Sequence, residues 1–175
     1  MTIRRRDRGK GRYGGAHLVL AVLCAGLYAV PSQGVPRDGE TFEAWTARCE
    51  REDPNHEQCY IFQNLVLKDS NQRVLHIAIG YVDSDAPIIL LTLPLGISLP
   101  PGARIEVDTG ETSEIAIERC ETNGCRAGLK VGQRLFDALR KGMEAKIVFH
   151  DAQRRPISVP VSLKGLYAGL TALKK

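Results

Sequence analysis

The stretch C-E-T-N-G-C, residues 120–125, restricts the fold more than any other part of this chain. Asn123-Gly124 favours positive φ at both positions, the requirement of a two-residue type I′ hairpin turn, so antiparallel strands are expected on either side. Cys120 can then face Cys125. Two further cysteines, Cys49 and Cys59, enclose E-R-E-D-P-N-H-E-Q, in which Asp53-Pro54-Asn55 is itself a turn sequence. Four cysteines allow three connectivities. The hairpin argument favours Cys120 with Cys125, which leaves Cys49 for Cys59.

The fifth cysteine, Cys24, falls in a segment of different composition. Residues 1–15 carry six Lys or Arg against one Asp, and residues 16–30, A-H-L-V-L-A-V-L-C-A-G-L-Y-A-V, contain no Asp, Glu, Lys or Arg. A basic region followed by a short apolar one reads as an export signal over residues 1–30. Fifteen positions are fewer than the roughly 20 that a spanning helix needs. The alternative is an uncleaved anchor touching the membrane only through residues 16–30. Leu23, where a lipoprotein signal carries a small residue, argues against lipid attachment at Cys24.

Residues 31–40 then read as a linker and residues 41–175 as a single domain. The 24 basic and 20 acidic residues of the chain include six and one in the first thirty, which leaves 18 and 19 and a formal charge of −1. A basic footprint for nucleic acid is therefore missing from the domain. In an exported chain, four cysteines are structural disulfides by default. C-x9-C with C-x4-C lacks the paired spacing of zinc sites, and neither pair has the C-x-x-C spacing of a redox motif.

Short segments of period two, separated by turns every eight to twelve residues, predict a mainly β chain folded as a sandwich. Trp45, Ala47 and Cys49 share a face, as do Cys59, Ile61, Leu65 and Leu67 with Gln63 interrupting. Leu75, Ile77, Ile79 and Tyr81 line another. A-P-I-I-L-L-T-L is apolar on both faces and suits a central strand. S-E-I-A-I-E-R-C should lead into the hairpin as one strand and G-C-R-A-G-L-K-V should lead out. Pro160 places the last strand at an edge or a bulge. Two helices are expected: one in G-Q-R-L-F-D-A-L-R-K-G, and one at the C-terminus capped by Ser162, with Leu163, Leu166, Tyr167, Leu170 and Leu173 on one stripe.

No catalytic constellation emerges. The histidines (His17, His56, His76 and His150) are scattered, and no nucleophile motif points at one. His150-Asp151 reads as a polar turn, His76 as a residue on the solvated face of its strand. Glu50, Glu52 and Asp53 lack calcium-loop spacing. Gly132 and Gly142 bracket a helix rather than a phosphate loop. The chain reads as a module without enzyme activity, cofactor or metal.

Trp45 shortly before Cys49, then Cys59, L-P-L-G-I-S-L-P-P-G-A-R-I-E-V-D, C-E-T-N-G-C-R-A-G-L and V-P-V-S-L-K-G-L-Y-A-G-L together resemble the invasion-associated locus B family. The resemblance runs from about residue 42 to the C-terminus, with Leu166 standing where the family often has an aromatic residue. It implies an exported bacterial envelope or surface protein built as an immunoglobulin-like β-sandwich. It supplies no catalytic residues; only the four cysteines and Trp45 map onto structural positions. The expected function is binding of a protein or envelope partner, with a link to host-cell invasion in some members. The alternative is a periplasmic accessory factor for envelope stress tolerance or protein assembly.

Overall fold

The computed structural model describes residues 35–53, 56–82 and 85–174. The segment read as an export signal, with His17 and Cys24, lies outside them, as do Pro54 and Asn55. Among the described residues, eleven strands and two helices follow one another: β1 (Thr41–Phe42), β2 (Trp45–Asp53), β3 (His56–Val66), β4 (Arg73–Gly80), β5 (Ile88–Leu93), β6 (Ala103–Val107), β7 (Thr112–Ile115), β8 (Ile117–Glu121), β9 (Gly124–Lys130), α1 (Gln133–Lys141), β10 (Glu144–His150), β11 (Pro156–Ser162) and α2 (Leu166–Leu173).

The strands form two antiparallel sheets, one in the order β1-β2-β3-β4-β5-β9-β8 and one in the order β11-β10-β6-β7. Alternate residues of both enter one core. Trp45, Ile61, Leu75, Ile77, Ile89 and Leu91 come from the larger sheet, and Ile105, Ile115, Ile147 and Phe149 from the smaller. The chain is thus mainly β, an immunoglobulin-like sandwich with two short helices. Pro160, which has no N–H to donate, sits in the edge strand β11 opposite Lys146.

Several elements differ from the sequence reading, each for a physical reason. S-E-I-A-I-E-R-C is two strands: Ala103 pairs with Ile115 in the smaller sheet, whereas Ile117 pairs with Ala127 in the larger. The chain changes sheets at Ala116, and Ile115 and Ile117 both stay packed on the core. Leu67 lies past the end of β3 and is 48% exposed; the pairing register has already shifted between Leu65 and Val66. Ser162 caps no helix. It ends β11, and α2 begins after Gly165, which has a left-handed φ of 81°. Leu166 and Leu170 of α2 are buried, while Tyr167 is 49% exposed with the Arg140 guanidinium 5.7 Å from its ring centre.

The hairpin reverses one step earlier than Asn-Gly suggests. Glu121 pairs with Gly124 and Cys120 with Cys125, so the turn residues are Thr122 and Asn123. A turn at Asn123-Gly124 would instead have set Thr122 against Cys125 and Cys120 against Ala127, out of reach of a disulfide. Asn123 has no positive φ; Gly124 does, at 136°. Glycine is required there because a β-carbon would fall on the Leu93 carbonyl oxygen of the neighbouring strand.

Residues 37–40 are bonded along the start of β2. Asp38 Oδ1 accepts from the Cys49 N–H at 3.0 Å, Glu40 O from Ala47 N–H at 2.7 Å, and Ala47 O from Gly39 N–H at 2.9 Å. Gln63, the polar interruption of an otherwise inward apolar face, donates through Nε2 to Ser162 O at 2.7 Å. Trp45 Nε1 donates to the same oxygen at 3.0 Å. Two side chains of the larger sheet therefore hold the last carbonyl of β11.

Candidate functional site

The outer face of the larger sheet carries the arrangement best suited to function. Directly paired residues of antiparallel strands project to the same side, so the register sets out three rows across the strands. Asn64, His76, Thr92 and Arg126 form the first, Phe62, Ala78, Leu90 and Gly128 the second, and Tyr60, Gly80, Ile88 and Lys130 the third. The second row is apolar throughout, and the third is apolar between Tyr60 and Lys130. Ala78 and Gly80 are small, so the surface dips along β4 between the aromatic rings of β3 and the aliphatic side chains of β5. The dip is part of an open groove of about 570 Å³ that reaches from Glu50 and Tyr60 across β4 and β5 to Arg126, Glu118 and Arg119.

Its floor is closely fitted. A β-carbon at Gly80 would lie 2.9 Å from that of Tyr60, so β3 and β4 leave no room for a larger residue. Ala78 is 8% exposed, whereas Leu90, one strand away on the same face, is 50% exposed. This accounts for the doubly apolar I-I-L-L-T-L. Ile89, Leu91 and Leu93 enter the core, but the opposite side of this central strand is not covered by a second layer among the described residues.

Charge is unevenly placed around the groove. Toward one end, Tyr60 donates its hydroxyl proton to Glu50 Oε1 at 2.7 Å. Burial, and then this hydrogen bond to a carboxylate, push the Tyr60 hydroxyl up to about 12. Near Gly128 the Glu118 carboxylate packs close enough that a β-carbon there would lie 3.0 Å from it. Toward the other end, His76 Nδ1 lies 2.8 Å from Asn64 Oδ1. Because that oxygen only accepts, Nδ1 carries the hydrogen. The Phe62 ring stands 5.5 Å from the His76 ring and has the Arg48 guanidinium 5.9 Å from its centre. Arg73 donates to Asn123 O at 3.1 Å, and Arg126 lies 3.4 Å from Glu121, which also holds Arg119 at 2.8 Å.

Burial, followed by the charges of Arg73, Arg126 and Arg48, lowers the His76 pKa below the ordinary 6.5. The ring is uncharged at neutral pH. The unfolded chain binds the extra proton first as pH falls, so the contribution of His76 to stability is fully present above 6.5 and declines as pH drops through 6.5 toward the folded value. Following its ring resonances by NMR should give a midpoint below 6.5. A midpoint above that value would mean that burial and the arginines do not govern the ring as described.

Of the residues singled out from sequence, Glu50, Cys59 and His76 line the groove, whereas Cys49, Cys120, Cys125 and Trp45 do not. Disulfides join Cys49 to Cys59 and Cys120 to Cys125, each between directly paired residues of a hairpin. One staples β2 to β3 on one side of β4 and β5, and the other staples β8 to β9 on the other. Cys59 itself lines the groove, and Trp45 is fully buried beneath the sheet. Replacing both Cys120 and Cys125 with Ser is expected to lower stability by about 1 to 3 kcal/mol with the fold retained. An unchanged denaturation midpoint in oxidising buffer would contradict this.

His150 and Asp151 form no catalytic pair. The Asp151 carboxylate accepts from the backbone N–H groups of Gln153 and Arg155 and from Arg155 Nε at 2.7 Å, which holds its pKa below the usual range. Among the described residues, His150 Nδ1 is enclosed without a hydrogen-bond partner. The Glu50 carboxylate is occupied by Tyr60, and among the described residues no three of His, Cys, Asp and Glu gather in a way that could hold a metal. Tyr60, Phe62, Leu90, Arg73 and Arg126 were not conspicuous in the sequence. The signal present was apolar residues on the outward parity of β3 and β5, at Phe62, Ile88 and Leu90.

Two disulfides fit an oxidising compartment, and among the described residues no helix is long and apolar enough to cross a membrane. Comparison with known proteins matches residues 45–174 to the family described as invasion associated locus B (IalB) protein. The chain is similar to invasion protein B homologues from Brucella abortus strains 2308 and 9-941. It is 26% identical to each over 141 residues, covering 77% of this chain and 78% of each relative. Among solved structures it is similar to the crystal structure of invasion associated protein B from Bartonella henselae. There the TM-score is 0.69 at 25% identity, covering 77% of this chain and 92% of that one.

Proposed function

We propose, from the premise that the chain belongs to the invasion associated locus B family, that it is an exported envelope or surface protein. In this reading it is an interaction module without enzyme activity, binding a protein partner through the groove on its larger sheet. The observation that carries the proposal is the uncovered apolar face: Leu90 stands half exposed on a central strand, between aromatic and small residues, and flanked by two stapled hairpins. An exposed apolar patch of this kind, rimmed by charge, is characteristic of interaction sites. The names of the Brucella and Bartonella relatives support a link to host-cell invasion. Export through residues 1–30 to the periplasm or cell surface is consistent with the paired cysteines. Any membrane contact is assigned to residues 16–30.

Crosslinking in envelope fractions tests the reading. Wild-type protein should capture a discrete partner, and Leu90→Lys should reduce recovery by tenfold or more while leaving the melting midpoint unchanged, since Leu90 packs on one side only. A surface substitution away from the groove, such as Ser158→Lys on β11, should have no effect. Equal recovery by wild type and Leu90→Lys would remove the groove from the function.

A further inference from the structure

We propose that the groove takes an extended peptide segment of the partner, with an apolar side chain seated over Ala78 and Gly80 and, two residues along, a carboxylate among His76, Arg73 and Arg126. This rests on the reading of the groove as the binding surface and goes further by giving the chemistry of what it binds.

Width selects the conformation. The dip over Ala78 and Gly80 is bounded by side chains of β3 and β5, which lie two strand spacings apart, about 9.6 Å; beyond β5 the groove opens over β9 to Glu118 and Arg119 of β8. A helix with its side chains is about 10–12 Å across and would ride on the walls instead of reaching the floor. An extended chain fits between them.

Pitch selects the pattern. Alternate residues of a strand that face the same side are separated by about 6.7 Å, which is the spacing along β4 between the row of Ala78 and the row of His76. A ligand strand of the same pitch therefore places one side chain on the apolar floor and the next but one at the cationic end.

Charge selects the side chain. Guanidinium groups reach this end from β2, β4 and β9, as Arg48, Arg73 and Arg126. Their combined positive potential is the one already felt by the His76 ring. Of the nearby acids, Asp38 lies 3.9 Å from Arg48, Glu121 is engaged by Arg119 and Arg126, Glu118 lines the groove at Gly128, one row from Arg126, and Glu50 is held by Tyr60 toward the opposite end. A carboxylate arriving at His76 meets arginines on both sides and an Asn64–His76 pair that takes up the Nδ1 hydrogen. Arginine and carboxylate make short, charge-assisted hydrogen bonds. Ala78 and Gly80, which form the floor, carry no side-chain hydrogen-bonding group for a glycan ring. The open top would leave one side of an acyl chain in water.

The test is selection of a displayed library of random nonapeptides on the full-length, oxidised protein, with counter-selection on Leu90→Lys. The expected consensus is an aromatic or aliphatic residue followed two positions later by Asp or Glu. Synthetic peptides of that consensus should bind at least tenfold more tightly than their Asp→Lys counterparts. The Arg73→Gln/Arg126→Gln double variant should abolish that preference without shifting the melting midpoint. Binding of the acidic peptides should also strengthen as pH falls toward the lowered pKa of His76, because a bound carboxylate favours the protonated ring. Enrichment without the acidic position, equal binding of the Asp and Lys peptides, or no enrichment would each overturn the assignment. Loss of envelope crosslinking in Leu90→Lys alongside such a failure would retire the peptide assignment alone; crosslinking insensitive to Leu90 would retire the groove itself.

Discussion

Trp45→Ala should lower the free energy of unfolding by about 3 to 5 kcal/mol, the usual loss when a large, fully enclosed aromatic is truncated. The side chain is 0% exposed and sits at the first residue of β2, where it packs in the shared core of the two sheets. It also holds Ser162 O through Nε1 at 3.0 Å, so its removal creates a cavity and breaks a tie between sheets. Trp45→Phe separates the two effects. It restores most of the volume, and Gln63 Nε2 still serves Ser162 O, so it should cost about 1 to 2 kcal/mol. Trp45 is the chain's only tryptophan, so urea denaturation should be followed by circular dichroism. A loss below 1 kcal/mol for the alanine variant would show that the core does not depend on this residue.

The second large effect belongs to Gly165. Its φ of 81° costs any other residue about 1 to 2 kcal/mol, and a β-carbon would fall on the Phe42 carbonyl group. Gly165→Ala must therefore push β1 away from the start of α2, and is expected to lose more than about 2 kcal/mol. Gly39 supplies the control. It has the same φ of 81°, but a β-carbon there meets nothing within 4 Å, so Gly39→Ala should show the conformational cost alone. Equal losses in the two variants would mean that the approach of Phe42 to Gly165 contributes nothing.

Much of the fold was legible because period two leaves a strong mark. In β4, Leu75, Ile77 and Ile79 enter the core while His76 faces out, as alternation requires. Pro160 announced an edge strand for the same kind of reason, a missing donor. Other features depend on tertiary context that local pattern does not carry. S-E-I-A-I-E-R-C alternates throughout, so nothing local marks the change of sheet at Ala116. Asn-Gly is a strong turn signal, yet the disulfide needs Cys120 directly across from Cys125, and that requirement moves the turn to Thr122-Asn123. The counting that reveals this was available from residues 120–125 alone. Ser162 has the side chain of a helix cap, but its carbonyl is claimed by Trp45 and Gln63 and stays in β11.

The groove was less legible than the fold. Tyr60, Phe62, Ile88 and Leu90 come from two strands, and the arginines from others. Only the register brings them onto one face. An apolar run such as I-I-L-L-T-L reads as a strand covered on both sides, whereas here its outward leucine is uncovered. The two meanings share one sequence signal and differ in what lies above the sheet.

Both disulfides close within a single hairpin, with sequence separations of 10 and 5, and neither joins one sheet to the other. Each bond therefore needs only its own pair of strands before it can form, without the sandwich assembled around it. Correct pairing is a contest between near neighbours and partners some sixty or more residues away, and proximity along the chain decides it. A domain wired this way can be oxidised as its hairpins emerge in sequence, and its maturation places little demand on an isomerase to undo mistakes.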